Sequence, residues 1–106
     1  MKNEKQYYVE VTGLNELGVN ELNEFYKYNI EFNYINPYRV GRLVTNQKSK
    51  YFSNIKNFGL ETTFTSLKAK VDENGKKVDG SSFQIKLKHL NCKVYEVGTT
   101  TKEVKI

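Results

Sequence analysis

The apolar residues near the C-terminus change parity, and no continuous strand can absorb that change. In SFQIKLK, residues 82 to 88, Phe83, Ile85 and Leu87 are odd-numbered, whereas in the following LNCKV the apolar positions Leu90, Cys92 and Val94 are even. Side chains alternate between the two faces of a strand, so an unbroken ladder would send one of these sets to solvent. A bulge or tight bend is therefore expected around Lys88-His89.

The same parity test constrains the hairpin before it. TTFTSLKAKV, residues 62 to 71, is expected to pair antiparallel with residues 82 to 88 around the turn-rich VDENGKKVDG. Leu67, Ala69 and Val71 share odd parity with Phe83, Ile85 and Leu87, so paired numbers must sum to even values. A two-residue Asn74-Gly75 turn would pair Val71 with Val78, an odd sum, and the hairpin therefore needs a longer loop or a bulge near Asp79-Gly80. Its opposite face would carry Phe64, Ser66, Lys68 and Lys70 on one strand and Gln84, Lys86 and Lys88 on the other. Lys68 would then face Lys86, which is unfavourable by a few tenths to about 1 kcal/mol unless a polyanion covers the pair.

Nearer the N-terminus, QYYVEVT (6 to 12) alternates Tyr7, Val9 and Val11 with Tyr8, Glu10 and Thr12, the pattern of a half-buried strand, which Gly13 ends. Asn20 as N-cap, with Glu21 and Glu24 at the positive end of the dipole, predicts a helix over about 20 to 28; an earlier start at Asn15 would meet an interruption at Gly18. IEFNYI (30 to 35) reads as a strand closed by Pro37. Residues 38 to 59 are irregular, with a strand at Arg39–Val44 and a short helix between Ser49 and Phe58 suggested by Phe52, Ile55 and Phe58 three apart. The fold class is α+β: an N-terminal strand, one short helix, an irregular middle and a C-terminal antiparallel meander of three or four strands, all in one domain of 106 residues.

Composition excludes several functions. No apolar run approaches the roughly 20 residues of a membrane span, and MKNEKQYYVEV has no apolar signal region, so a cytoplasmic protein that does not enter the membrane is expected. Cys92 is the single cysteine, which leaves no internal disulfide and no four-ligand zinc pattern. It is expected to be a buried structural thiol. His89 is the single histidine and sits three residues from Cys92, on opposite strand faces unless the bend intervenes. With no phosphate-binding glycine loop and no metal-ligand spacing, the chain reads as a non-enzyme without cofactors.

What remains is binding. Residues 1 to 31 carry 3 cations against 6 anions, and the rest 14 against 6, so the net +5 is concentrated after the helix. From 32 to 60 there is no acid, while YRVGRLVTNQKSKYF places Tyr38, Arg39, Arg42, Lys48, Lys50 and Tyr51 together. Cations that track phosphates and rings that stack on bases are the chemistry of single-stranded DNA or RNA binding. The candidate nucleic-acid site is these six residues with Lys68, Lys70, Lys86 and Lys88. Against this, most rings here are needed as core in a chain without Trp, and lysine on a sheet face serves solubility. The alternative is a protein-interaction module or inhibitor that docks through an acidic helix bearing Glu16, Glu21 and Glu24, or through a free strand edge. Val104 and Ile106 could form such an edge and pair two copies of the chain. Asn-, Lys- and Tyr-rich usage in so small a domain suits a viral or mobile-element protein.

Overall fold

The computed structural model describes residues 5–29, 49–53, 55–98 and 100–105. Its elements run β1 (Gln6–Leu14), α1 (Glu16–Phe25), β2 (Ser49–Ser53), β3 (Thr63–Val71), β4 (Lys77–Lys86), a 3-10 turn (Leu87–His89), β5 (Leu90–Val97) and β6 (Lys102–Val104). The fold is α+β, with one four-stranded antiparallel sheet in the order β2-β1-β5-β6 and a separate β3-β4 hairpin. The expected segments 30 to 35 and 39 to 44 lie outside the described residues.

β1 lies inside the sheet between β2 and β5, and Val9 and Val11 on its inner face are buried in the core. Gly13 does not end the strand. The register steps from Val11↔Cys92 to Gly13↔Asn91, so Thr12 is an extra residue, and Gly13 carries the bulge at φ +152° before pairing resumes at Leu14.

α1 starts at the earlier candidate cap, five residues before Asn20 would place it, and ends at Phe25 and not near 28. Asn15 caps it, its Oδ1 accepting from Gly18 N at 2.8 Å while its Nδ2 donates to Lys88 O at 2.8 Å. Asn15 N also donates to His89 O at 2.9 Å, so this one residue both caps the helix and ties it to the 3-10 turn. That tertiary bonding decides between two asparagines of equal capping chemistry. Gly18 does not interrupt the helix either: a Cβ there would lie 2.5 Å from His89 O, so glycine lets the helix approach the turn.

Ser49–Ser53 is a strand, β2, and not the start of a helix. Phe52 pairs with Tyr7 and is buried, Ile55 is exposed, and Phe58 stacks on Tyr7 with centroids 4.2 Å apart. The spacing of three thus arises from a strand and a following loop that converge on one tyrosine.

The hairpin carries a slip near Gly80 as its parity required, but Ala69↔Ser82 still sums to an odd value, and a second slip between Ser66 and Ala69 restores even sums at Ser66↔Gln84 and Thr65↔Ile85. Val71 faces Lys77 across a turn held by Asp72 Oδ1, which accepts from Asn74 N and Lys76 N at 2.9 Å each. The register then slips before Ala69↔Ser82, around Gly80 at φ +78°. A further slip between Thr63 and Thr65 makes Phe64 an extra residue, and Phe64 is buried where the alternation had placed it outside. Lys86 consequently faces Thr63, not Lys68.

The parity change is made by the 3-10 turn. Leu87 lies buried at its start, and β5 leaves the hairpin to pair with β1, burying Leu90 and Val94. Four rings, Tyr26, Phe52, Phe64 and Phe83, share the core with these aliphatic residues, as a domain without tryptophan requires.

Candidate functional site

The side of the four-stranded sheet turned away from the core carries a row of tyrosines. Tyr8 on β1 faces Tyr51 on β2 and Tyr95 on β5. The Tyr8–Tyr51 centroids are 4.7 Å apart and the Tyr8–Tyr95 centroids 6.2 Å, with all three rings tilted. Tyr51 is 61% exposed and its two neighbours are half-buried. Directly opposite residues share a face, so Glu10 and its partner Lys93 lie beside this row. Of the three, only Tyr51 is among the candidate residues of the sequence; Tyr8 and Tyr95 are not, although Tyr8 falls on the polar side of the QYYVEVT alternation and Tyr95 on the odd, outward parity of β5.

Tyr38, Arg39, Arg42 and Lys48 lie outside the described residues. Lys50 and Tyr51, adjacent in sequence, point to opposite faces of β2. Lys50 Nζ donates to Phe64 O at 2.6 Å, within 5.6 Å of the Phe52 and Phe64 ring centroids. Its charge is engaged at the core edge, away from the tyrosine row.

The hairpin lysines separate too. Lys86 and Lys88 donate to the two carboxylate oxygens of Glu61 at 2.9 and 3.0 Å, and these two bonds hold the Glu61 carboxyl down to about 2. Lys70 lies over the Phe25 ring at 5.4 Å, and Lys68 stands on β3. The expected acid-free lysine face is therefore interrupted by Glu61, a residue the alternation placed before the strand.

Among the helix acids, Glu16 is exposed, Glu24 pairs with Lys27 at 3.0 Å, and Glu21 Oε1 lies 2.9 Å from His89 Nε2. His89 is buried, and its Nδ1 accepts from Lys86 N at 2.9 Å. Nδ1 is thereby the unprotonated nitrogen and Nε2–H donates to Glu21. With both ring nitrogens engaged, His89 is a structural tie and no base for Cys92, whose thiol burial pushes up. Val104 stands, as expected, on an edge strand, β6, where it faces Val94 and packs on the core; Ile106 lies outside the described residues.

A second feature is a cleft of about 770 Å³ between the C-terminal half of α1 and the hairpin. Phe25, Phe83, Val71 and Val78 line it, with Glu21, Glu24, Asp72 and Glu73 among its charged groups. No helix of the described residues is long and apolar enough to cross a membrane. No protein-family model, curated protein or solved structure matches the chain.

Proposed function

We propose that this protein is a non-catalytic binder of single-stranded nucleic acid that stacks bases on the outer face of its four-stranded sheet. The observation that carries this reading is the Tyr51–Tyr8–Tyr95 row. Antiparallel sheets that bind single strands present aromatic rings in this way, and each stacked base contributes about 1 to 3 kcal/mol without demanding a sequence. The charge pattern supports it: Lys93 borders the row, and Arg39, Arg42 and Lys48 stand in the chain that runs directly into β2. Lys50, Lys86 and Lys88, each held by a partner elsewhere, fall outside the site in this reading.

Because Glu10 and Glu103 also face this side, stacking leads and charge follows. Four cations at most would neutralise phosphates, giving a slope of log affinity against log salt no steeper than about −3 for a single strand. Fluorescence anisotropy with a labelled single-stranded 15-mer and its duplex, over a salt series, tests the reading. Preference for the single strand with that shallow slope supports it. Absence of binding at low salt, or equal binding of the duplex, overturns it.

A further inference from the structure

The cleft between α1 and the hairpin is acidic in a chain whose net charge is positive. Its walls hold Glu21, Glu24, Asp72 and Glu73 against Lys27 and Lys70, 4 anions to 2 cations. Glu21 is bonded to His89, Glu24 is paired with Lys27 at 3.0 Å and Lys70 lies over the Phe25 ring, so an incoming segment shares Glu24 with Lys27 and moves the Lys70 ammonium aside. Its floor is apolar: Phe25 and Phe83 meet with ring centroids 5.2 Å apart, and Val71 and Val78 continue the surface onto the hairpin. Tyr28 stands at its margin, 45% exposed. The volume of about 770 Å³ is in the range that accepts a large side chain with its flanking backbone.

We infer that this cleft docks a cationic peptide segment of a partner protein, with one large apolar side chain on the Phe25–Phe83 floor and flanking lysines or arginines at Glu24 and Glu73. An apolar anchor in a pocket with a charged rim and an exposed tyrosine is the usual anatomy of a small docking site. A phosphate chain is disfavoured there by the excess of carboxylates. The cleft is distinct from the tyrosine row, so one chain can hold a nucleic acid on its sheet and a protein beside its helix.

The test uses the full chain and a fluorescein-labelled decapeptide of lysine and leucine around a central phenylalanine, with a second peptide in which glutamate replaces lysine. The lysine peptide should bind, and Glu24→Gln combined with Glu73→Gln should weaken it about tenfold, two rim charges being removed. Tyr28→Ala should weaken it severalfold, while Tyr51→Ala leaves it unchanged. Circular dichroism checks that the variants fold, as expected with all four positions exposed. Equal binding of the glutamate peptide, or lysine-peptide binding insensitive to the Gln pair and to Tyr28→Ala, overturns the inference. So does concentration-dependent dimerisation abolished by the Gln pair, which would make a second copy the occupant. Oligonucleotide binding should survive the Gln pair, so failure of this site and failure of the sheet site are separately visible.

Discussion

His89 Nε2 lies 2.9 Å from Glu21 Oε1 although 68 positions separate the two residues in sequence, and this contact joins the helix to the corner where β4 gives way to β5. The imidazole does two things there: its Nδ1 receives Lys86 N–H, and its ring fills core space beside Phe83 at a centroid distance of 5.4 Å. His89→Ala leaves a cavity and an unpaired backbone donor, and should cost about 2 to 4 kcal/mol in urea unfolding. Glu21→Gln should cost less than about 1 kcal/mol, because the glutamate side chain is 44% exposed and an amide oxygen still accepts from Nε2–H. Equal losses for the two variants would show that the hydrogen bond to Glu21, not the buried ring, holds this corner.

Gly18 faces the same corner. In an exposed helix, Gly→Ala stabilises by about 1 kcal/mol. Here the new Cβ would meet His89 O at 2.5 Å, and a backbone carbonyl already bonded to Asn15 N cannot move away freely. Gly18→Ala should therefore destabilise by about 1 to 3 kcal/mol, read as a lowered thermal midpoint. A stabilised variant would mean that helix and turn are further apart than described.

Local pattern was legible in the sequence wherever a rule of period two acted alone. Val9 and Val11 inside, the slip near Asp79-Gly80, and the parity change at Lys88-His89 all follow from one alternation. Errors came where a distant partner decided the outcome. Asn15 prevails over Asn20 because Lys88 and His89 receive it; Phe64 turns inward because a bulge resets the hairpin; Glu61 meets Lys86 and Lys88 because a turn before β3 brings it back. Sequence distance hides all three. The tyrosine row is partly legible: Tyr8 and Tyr95 have the outward parity, whereas Tyr51 stands in an expected helix, and only strand order, which no local pattern encodes, brings Tyr8 between Tyr51 and Tyr95.

Adjacent residues on opposite faces of β2 give a sharp comparison. Tyr51→Ala should weaken single-strand binding about 5- to 150-fold, the range of one lost stacking contact, with a stability loss below about 1 kcal/mol from the Tyr8 pair. Lys50→Ala should leave binding within about twofold and instead lower stability, since Nζ no longer bonds Phe64 O; a charged donor of this kind contributes about 1.5 to 3 kcal/mol. If Lys50→Ala weakens binding as much as Tyr51→Ala does, the nucleic acid lies on the other side of the sheet.

The Glu61 carboxyl reports whether Lys86 and Lys88 take part in binding. Its hydrogen bonds to both ammonium groups lower it from 4.5 to about 2 in the folded protein. A depressed folded value contributes stability that is present above the ordinary value near 4.5 and is lost as the pH falls toward 2. The stability difference between the native chain and Glu61→Gln should thus be constant above about pH 5.5, narrow as the pH falls, and vanish below about pH 2; 0.5 M salt should shrink it, because the site is exposed. Carboxyl NMR should place the Glu61 midpoint near 2 in the free protein. On saturation with a single strand, binding centred on the tyrosine row leaves that midpoint in place. A rise toward 4.5 would mean that phosphates have drawn the two lysines off Glu61 and that the hairpin face belongs to the primary site.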